Sequence, residues 1–202
     1  MRKIISTTFL TLDGVMQAPG GPEEDKNGGF AHGGWSFHHW DEMMGKVMDG
    51  FMKTPFELLL GRKTYDIFAA HWPKTDKDQE VAKPFNSTKK YVASHKSPKL
   101  EWQNSILLTN DVVPQIKKLK EEKGPDLWVH GSGNLIQTLL KHHLLDRMHL
   151  WIFPITVGNG KRLFAEGTQA EGWKLVDSKI ASSGVIVATY EPAGKLKTGS
   201  FA

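Results

Sequence analysis

Two stretches of this chain decide its fold: Leu58-Leu-Leu-Gly61-Arg62-Lys63-Thr64-Tyr65 and Leu127-Trp-Val-His-Gly131-Ser132-Gly133-Asn134-Leu135. Each is an apolar run of strand type that passes through glycine into a segment with helical spacing. In that layout a parallel strand delivers the chain to a helix N-terminus, whose free N–H groups can hold phosphate. Two such sites in one small domain fit a dinucleotide better than a mononucleotide, although glycine at a strand end is also common as a plain turn residue.

The composition is that of one globular domain. Hydrophobic residues make up 39% and charged residues 24% of the 202, which argues against wholesale disorder. The net charge of +4 is scattered, so the lysines between 117 and 123 indicate a solvated helix face rather than a nucleic-acid patch. No run approaches the ~20 apolar residues that span a bilayer, and there is neither cysteine nor a signal-peptide h-region. We therefore expect a cytoplasmic protein that binds neither membrane nor nucleic acid.

Periodicity predicts strands alternating with helices up to about residue 146 and long strands thereafter. This pattern predicts an α/β fold of three layers, with a mostly parallel central sheet and an antiparallel C-terminal strand pair. The Gly- and Pro-rich segment from Gln17 to Gly34 is predicted to be a long loop, either a functional lid or disordered. We expect one domain over residues 1–192 and a flexible tail over 193–202. The predicted helices cover 38–52, 64–71, 112–122 and 134–142, and the predicted strands cover 3–10, 57–60, 90–93, 105–108, 127–130, 147–154, 173–181 and 184–191.

Four motifs then indicate a family. Thr11-Leu-Asp-Gly-Val15 resembles the Ser/Thr-Leu-Asp-Gly signature of the riboflavin-pathway reductase domain, and Gly61-Arg-Lys-Thr-Tyr65 resembles the Gly-Arg-x-Thr-Trp/Tyr box of dihydrofolate reductases. Val129-His-Gly-Ser-Gly133 is similar to their second glycine motif, and Pro154-Ile-Thr-Val-Gly-Asn-Gly-Lys-Arg-Leu-Phe164 to the Pro-x-x-x-Gly-x-Gly-x-x-Leu-Phe signature of the riboflavin-reductase branch. The motifs occur in family order over nearly the whole chain. The chain thus resembles the dihydrofolate-reductase-like superfamily, as a stand-alone relative of the riboflavin-biosynthesis reductase domain.

The resemblance implies a dihydrofolate-reductase-like fold and NADPH as hydride donor. The alternative for Arg62 and Lys63 is a solvated first helical turn, and for His95 and Lys96 an exposed turn. The residues implied for the cofactor are Gly61, Arg62, Lys63 and Thr64 for the adenosine-side phosphates, Ser94, His95 and Lys96 for the adenine ribose and its 2′-phosphate, and Gly131, Ser132, Gly133, Asn134 and Leu135 for the pyrophosphate.

The substrate side is predicted from side chains near the first strand and the following helix. Asp13 and Asp41 are candidate catalytic proton partners, although Asp13 could be a turn residue and Asp41 a helix-start acid. Trp35, Phe37 and Trp40 could stack on a flat heteroaromatic substrate, or could be plain core. His32, His38 and His39 lack an accompanying carboxylate motif with ligand spacing, so no metal site is expected.

Two functions follow from these residues and the resemblance. The first is an NADPH-dependent reductase of a pyrimidine- or pterin-like small molecule, similar to 5-amino-6-(5-phosphoribosylamino)uracil reductase. The alternative is a nucleotide-binding module without efficient turnover. With no cysteine, the zinc deaminase half of the bifunctional riboflavin enzyme is absent. The apolar run 150–155 and the family's habit of dimerising predict a homodimer through the C-terminal strands, unless that run is a central intramolecular strand.

Overall fold

The computed structural model describes residues 1–201, which form eight strands, five α-helices and two short 3-10 turns. Strands are interspersed with helices as far as the sixth strand, with two consecutive helices after β2 and two consecutive strands after those helices, and a strand pair follows the sixth strand. In chain order they are β1 Ile4–Thr11, α1 Glu42–Lys53, β2 Phe56–Gly61, α2 Arg62–His71, α3 Gln79–Ser87, β3 Lys90–Ala93, β4 Ser105–Leu108, α4 Val112–Glu121, β5 Asp126–His130, α5 Gly133–Lys141, β6 Arg147–Phe153, β7 Gly172–Ile180 and β8 Ile186–Gly194, with 3-10 turns at Asn27–Gly29 and Phe37–His39.

All eight strands belong to one sheet, in the order β4-β3-β2-β5-β1-β6-β8-β7. The first six strands in this order form five parallel pairs, and β8 runs antiparallel to both β6 and β7. The prediction of a mostly parallel sheet with an antiparallel C-terminal pair is confirmed. Because the carboxyl ends of parallel strands meet at one edge, the segments that follow β1, β2, β3, β5 and β6 come together there.

Helices cover both faces of the sheet, which makes the predicted three layers. The consecutive leucines of β2 show the alternation: Leu59 packs in the cluster that α4 and α5 cover, whereas Leu58 and Leu60 pack with Phe68 of α2 and Phe85 of α3 on the other face. Each leucine is fully buried. Because both faces of the strand are buried at these positions, the leucines on either face are apolar and form a continuous apolar run.

Three details differ from the sequence-based prediction. Helix α3 lies in a segment for which no helix was predicted, and it contains Pro84, which removes one helical N–H. Helix α1 begins at Glu42 rather than residue 38, since the Asp41 side chain caps it by accepting the N–H of Met44 at 3.0 Å. Strand β8 continues to Gly194, so the first residues of the predicted tail belong to the sheet.

The apolar run 150–155 proves to be part of an interior strand. β6 lies between β1 and β8, and its Leu150, Trp151 and Phe153 are buried within the protein. The alternative stated above therefore holds, and this run gives no support to a dimer. The exposed edge of the sheet at this end is β7, which carries Leu175 and Ile180 on the surface.

Candidate functional site

The two glycine-containing junctions meet in one crevice. β2 and β5 are neighbours in the sheet, so the chain leaves both strands at the same edge. The N–H of Gly61 donates to the Ser132 hydroxyl at 3.0 Å, and the N–H of Ser132 donates to the Thr64 hydroxyl at 3.1 Å. This reciprocal pair of hydrogen bonds holds the N-termini of α2 and α5 side by side, as a two-phosphate site requires.

The second junction turns through two residues with left-handed backbone. Gly131 and Ser132 each have φ of +54°, whereas Gly133 is the first residue of α5. A Cβ on Gly131 would lie 3.4 Å from the Thr64 hydroxyl oxygen, an ordinary contact, so a side chain is disfavoured there by the backbone conformation rather than by lack of space. The first-turn N–H groups of α5, at residues 133–135, precede its first helical hydrogen bond and can donate into the crevice.

The segment that follows β1 lies over this turn. A Cβ built on Gly133 would come within 2.9 Å of the Met16 sulfur, so the space beside Gly133 is filled by the end of a flexible side chain. The N–H of Met16 donates to the carbonyl of Lys161 at 2.8 Å, which ties this segment to the loop after β6. The crevice is thus covered by a movable side chain rather than by backbone.

The predicted phosphate-binding cations have partners within the chain. Arg62 contacts Asp66 one turn later at 2.7 and 2.8 Å, and Lys63 contacts Asp25 of the long loop at 2.7 Å. Two cations in the first turn of a helix oppose its dipole, and these carboxylates compensate them. Any ligand phosphate at Lys63 has to share the ammonium group with Asp25 or replace it.

The segment after β3 lies near the start of α2, because β3 is the neighbour of β2. Ser94 is buried, and its N–H donates to the carbonyl of Leu108 at 3.0 Å. His95 and Lys96 are exposed beyond it. This placement is compatible both with a ribose-phosphate contact and with an exposed turn.

Asp13 anchors the exit of β1. Its carboxylate accepts the Thr11 hydroxyl at 2.6 Å and the N–H groups of Gly158 and Val157 at 2.8 and 3.2 Å. The hydrogen bond from Thr11, helped by the two N–H groups, holds the pKa of the Asp13 carboxyl below its ordinary value. Asp13 is therefore ionised at neutral pH and joins β1 to the segment after β6.

Asp41 is engaged elsewhere. Besides capping α1, its second oxygen accepts both the N–H and the hydroxyl of Ser182 at 2.8 Å, in the turn between β7 and β8. The bonds from Met44 and Ser182 lower the pKa of the Asp41 carboxyl. In the structure Asp41 has the helix-start role that the sequence left open. The hydrogen-bond partners of Asp41 and those of Asp13 lie in different segments of the chain.

The three candidate stacking residues divide into two groups. Trp40 stacks on Trp151 with ring centroids 5.8 Å apart and planes 7° apart, and Trp35 meets Phe153 edge-on at 5.1 Å. Both belong to the aromatic packing on the α1 face, and Trp40 remains 44% exposed. Phe37 is 75% exposed. Among the ring contacts of the described residues, its one partner is the neighbouring His38 ring.

Sequence reasoning missed a histidine beside the second junction. His130 ends β5, is almost wholly buried, and its Nε2 has no hydrogen-bond partner among residues 1–201. Burial and the nearby His149 lower the pKa of His130 to about 3, so its ring is neutral at physiological pH. Burial likewise lowers the pKa of His149 to about 4. The signal available in the sequence was a polar residue, His130, at the end of an apolar strand run.

Within the described residues, no three His, Asp or Glu side chains come together in a way that could hold a metal ion. In the same part of the chain, none of the helices has the length and apolar character needed to cross a membrane.

Comparison with known proteins agrees with this architecture. The model of the RibD C-terminal domain family matches residues 2–187. The uncharacterized protein YyaP of Bacillus subtilis (strain 168) is 31% identical over 192 residues, which cover 94% of each chain. A second uncharacterized protein of that organism, YwjB, is 23% identical over 181 residues, covering 88% of this chain and 91% of its own.

Solved structures share the fold at low identity. A putative riboflavin biosynthesis protein from Shewanella sp. PV-4 superposes with a TM-score of 0.65 at 22% identity, covering 94% of this chain and 98% of its own. Dihydrofolate reductase from Enterococcus faecalis, complexed with NADP(H) and RAB-propyl, superposes with a TM-score of 0.61 at 14% identity, covering 95% and 96%. The dihydrofolate-reductase-like fold inferred from the motifs is confirmed.

Proposed function

The chain belongs to the RibD C-terminal domain family, a reductase-like family, and from that premise we propose that it is an NADPH-dependent reductase of a pyrimidine- or pterin-like compound. One observation carries the proposal: the two strand–glycine–helix junctions, far apart in sequence, are hydrogen-bonded to each other at the carboxyl edge of the sheet. Ligands of open α/β sheets bind at that edge.

We infer that the crevice would hold a dinucleotide. The N–H groups of residues 133–135 would donate to the pyrophosphate, and the absent side chain of Gly133 leaves room for it once Met16 swings away. Arg62 and Lys63, with Lys96, would contact the adenosine-side phosphates. NADPH would supply the hydride, and the protein has to place the substrate and exclude water.

The carboxylates have a limited part in this chemistry. Asp13 and Asp41 have lowered pKa values and are ionised at neutral pH, so each could accept a hydrogen bond from a substrate N–H but has no proton to give. Both oxygens of Asp13 and both oxygens of Asp41 already accept hydrogen bonds within the chain, so a substrate N–H would share either carboxylate with its present partners. The exposed part of Trp40 would offer a stacking surface.

The alternative, a nucleotide-binding module without efficient turnover, is favoured by one feature. The carboxylate expected to assist the substrate, Asp41, caps α1 and fastens the β7–β8 turn instead. Assaying NADPH oxidation in the presence of aminopyrimidine and dihydropterin compounds separates the two functions. Turnover supports the reductase, whereas tight NADPH binding without oxidation of any compound supports the module.

Cofactor preference gives a direct test of the binding site. We expect NADPH to bind at least tenfold more tightly than NADH in calorimetric titrations, because a charge-assisted contact to the 2′-phosphate contributes about 1.5–3 kcal/mol. Lys96→Met should reduce this preference. Lys99→Met is the matched control, since Lys99 lies on the same exposed loop and pairs with Glu101. Equal affinities for the two cofactors would contradict the 2′-phosphate assignment.

We also propose a homodimer, now through β7 rather than β6. β7 is an edge strand with a free hydrogen-bonding side, and it exposes Leu175 by 50% and Ile180 by 73%. Light scattering at micromolar concentration should give twice 22.6 kDa, and Ile180→Glu should give the monomer mass. Ile106→Glu, on the opposite edge strand β4, is the matched control and should stay dimeric. A wild-type monomer would refute the proposal.

A further inference from the structure

The loop from Gln17 to Gly34 is fixed at its ends, and two carboxylates act in its middle: Glu24 accepts N–H groups of the loop itself, whereas Asp25 contacts side chains outside it. At its base, the Gln17 amide group donates to the carbonyls of Asp25 and Asn27 at 3.0 and 2.9 Å and accepts the N–H of Lys161 at 3.0 Å. Near its end, Phe30 is buried against Val15. Most residues between 20 and 29 are exposed, and four of them are glycine.

Asp25 is one of the partly buried residues in this stretch, and its side chain makes ion pairs with lysines outside the loop. Its carboxylate lies between two ammonium groups, 2.7 Å from that of Lys63 and 2.6 Å from that of Lys161. The Asp25 side chain is 9% exposed, whereas the side chains of the two lysines are 44% and 47% exposed. Although burial works against ionisation, the ammonium groups of Lys161 and Lys63 hold the pKa of Asp25 below its ordinary value.

These contacts form a continuous ring around the crevice. Lys63 precedes Thr64, which accepts the N–H of Ser132 in the second glycine turn. On the other side, the carbonyl of Lys161 accepts the N–H of Met16, whose sulfur covers Gly133. The Asp25 carboxylate closes this ring, at the position where two cations converge beside the crevice.

We propose that Asp25 is an internal occupant of an anion site formed by Lys63 and Lys161, and that a phosphate group of the ligand displaces it and releases the loop. A phosphate carries more negative charge and more acceptor oxygens than a carboxylate, so it satisfies two ammonium groups better. The inference rests on the proposed function only in naming NADPH as the source of that phosphate. The loop is then a lid that its own carboxylate keeps closed until a phosphorylated ligand arrives.

The first test compares two loop variants by calorimetric titration with inorganic pyrophosphate. Asp25→Asn should bind pyrophosphate about tenfold more tightly than the wild type, because the competitor is gone. Glu23→Gln is the matched control: it removes one negative charge from the same loop, but Glu23 is 79% exposed and pairs with Lys26. If both variants bind pyrophosphate more tightly by the same factor, the gain comes from net charge alone and the proposal is refuted. Unchanged or weaker pyrophosphate binding by Asp25→Asn would also refute it.

The second test follows the lid itself by tryptic cleavage after Lys26, which lies in the exposed part of the loop. Pyrophosphate should accelerate this cleavage in the wild type several-fold relative to sodium chloride of equal ionic strength. Lys161→Met should be cleaved rapidly with or without pyrophosphate, because both the latch and the anion site are weakened. Slower cleavage in the presence of pyrophosphate would overturn the proposal.

The two proposals fail in different ways. If pyrophosphate opens the loop but NADPH is neither bound nor oxidised, the anion site stands and the reductase function falls. If NADPH is oxidised while Asp25→Asn leaves pyrophosphate affinity unchanged, only the displacement of Asp25 is refuted.

Discussion

Replacing Gly133 with valine should abolish NADPH binding while leaving the fold intact. Valine would place a branched side chain where the pyrophosphate has to reach the first-turn N–H groups of α5. Loss of close approach and of two or three phosphate hydrogen bonds should cost several kcal/mol, on the order of a thousandfold in affinity. NADPH titration and thermal melting of the same variant measure the two effects.

The structure explains why the fold should tolerate this change. Gly133 lacks a left-handed backbone; the positive φ angles of the turn belong to Gly131 and Ser132. The nearest atom to a new Cβ is the Met16 sulfur, at the end of a flexible side chain that can move aside. Gly50→Val, in open space on α1, is the matched control and should bind NADPH normally. Normal affinity in Gly133→Val would remove the pyrophosphate site.

The second large effect should be a loss of stability in mild acid. The pKa values of His130 and His149 in the folded protein are about 3 and about 4, below the ordinary value of 6.5. As pH falls below 6.5, the unfolded chain takes up protons that the folded protein cannot, so folding stability falls with pH until about 4. At about 1.4 kcal/mol per pKa unit, the two rings together remove on the order of 5 kcal/mol by pH 4, comparable to the whole stability of many domains.

Urea unfolding measures this loss of stability at a series of pH values from about 4 to about 7.5, a range that brackets the titration of the histidines. His130→Phe keeps an apolar aromatic ring in the same packing and should lower the proton uptake on unfolding from about two to about one near pH 5. His38→Gln, at an exposed position, controls for the loss of an imidazole. Stability that is flat from pH 6.5 to 4.5 would contradict the burial of both rings.

The parts of the fold that can be predicted from the sequence are those determined by residues close together in the chain. The junctions at Gly61 and Gly131 combine an apolar run, a glycine and a helical repeat within about ten residues, and each signal acts on its neighbours. The position of β5 beside β2 joins segments far apart in the sequence and has no local signal, so the strand order was not predicted. Helix α3 has no such clear local signal, because proline is disfavoured inside a helix and α3 contains Pro84.

The candidate site was predicted less completely, because its contacts join distant segments. The anions beside Arg62 and Lys63 are Asp66, one helical turn away, and Asp25, which reaches Lys63 only through the closure of the long loop. The four-residue spacing could indicate the Arg62–Asp66 ion pair, but no spacing along the chain indicates the Lys63–Asp25 ion pair. Asp41 shows the same limit: its acid character fits a catalytic role, and only the proximity of Ser182 shows both oxygens to be engaged.

The position of β1 in the sheet has a consequence during synthesis. Its two sheet neighbours are β5 and β6, and the first partner of Ile4 is Leu127, made 123 residues later. At about 5–20 residues per second, a nascent β1 waits roughly 6–25 s with both edges unpaired. An unpaired strand can pair with another nascent chain. We therefore expect a ribosome-associated chaperone that covers β1 during this interval to raise the yield of folded protein.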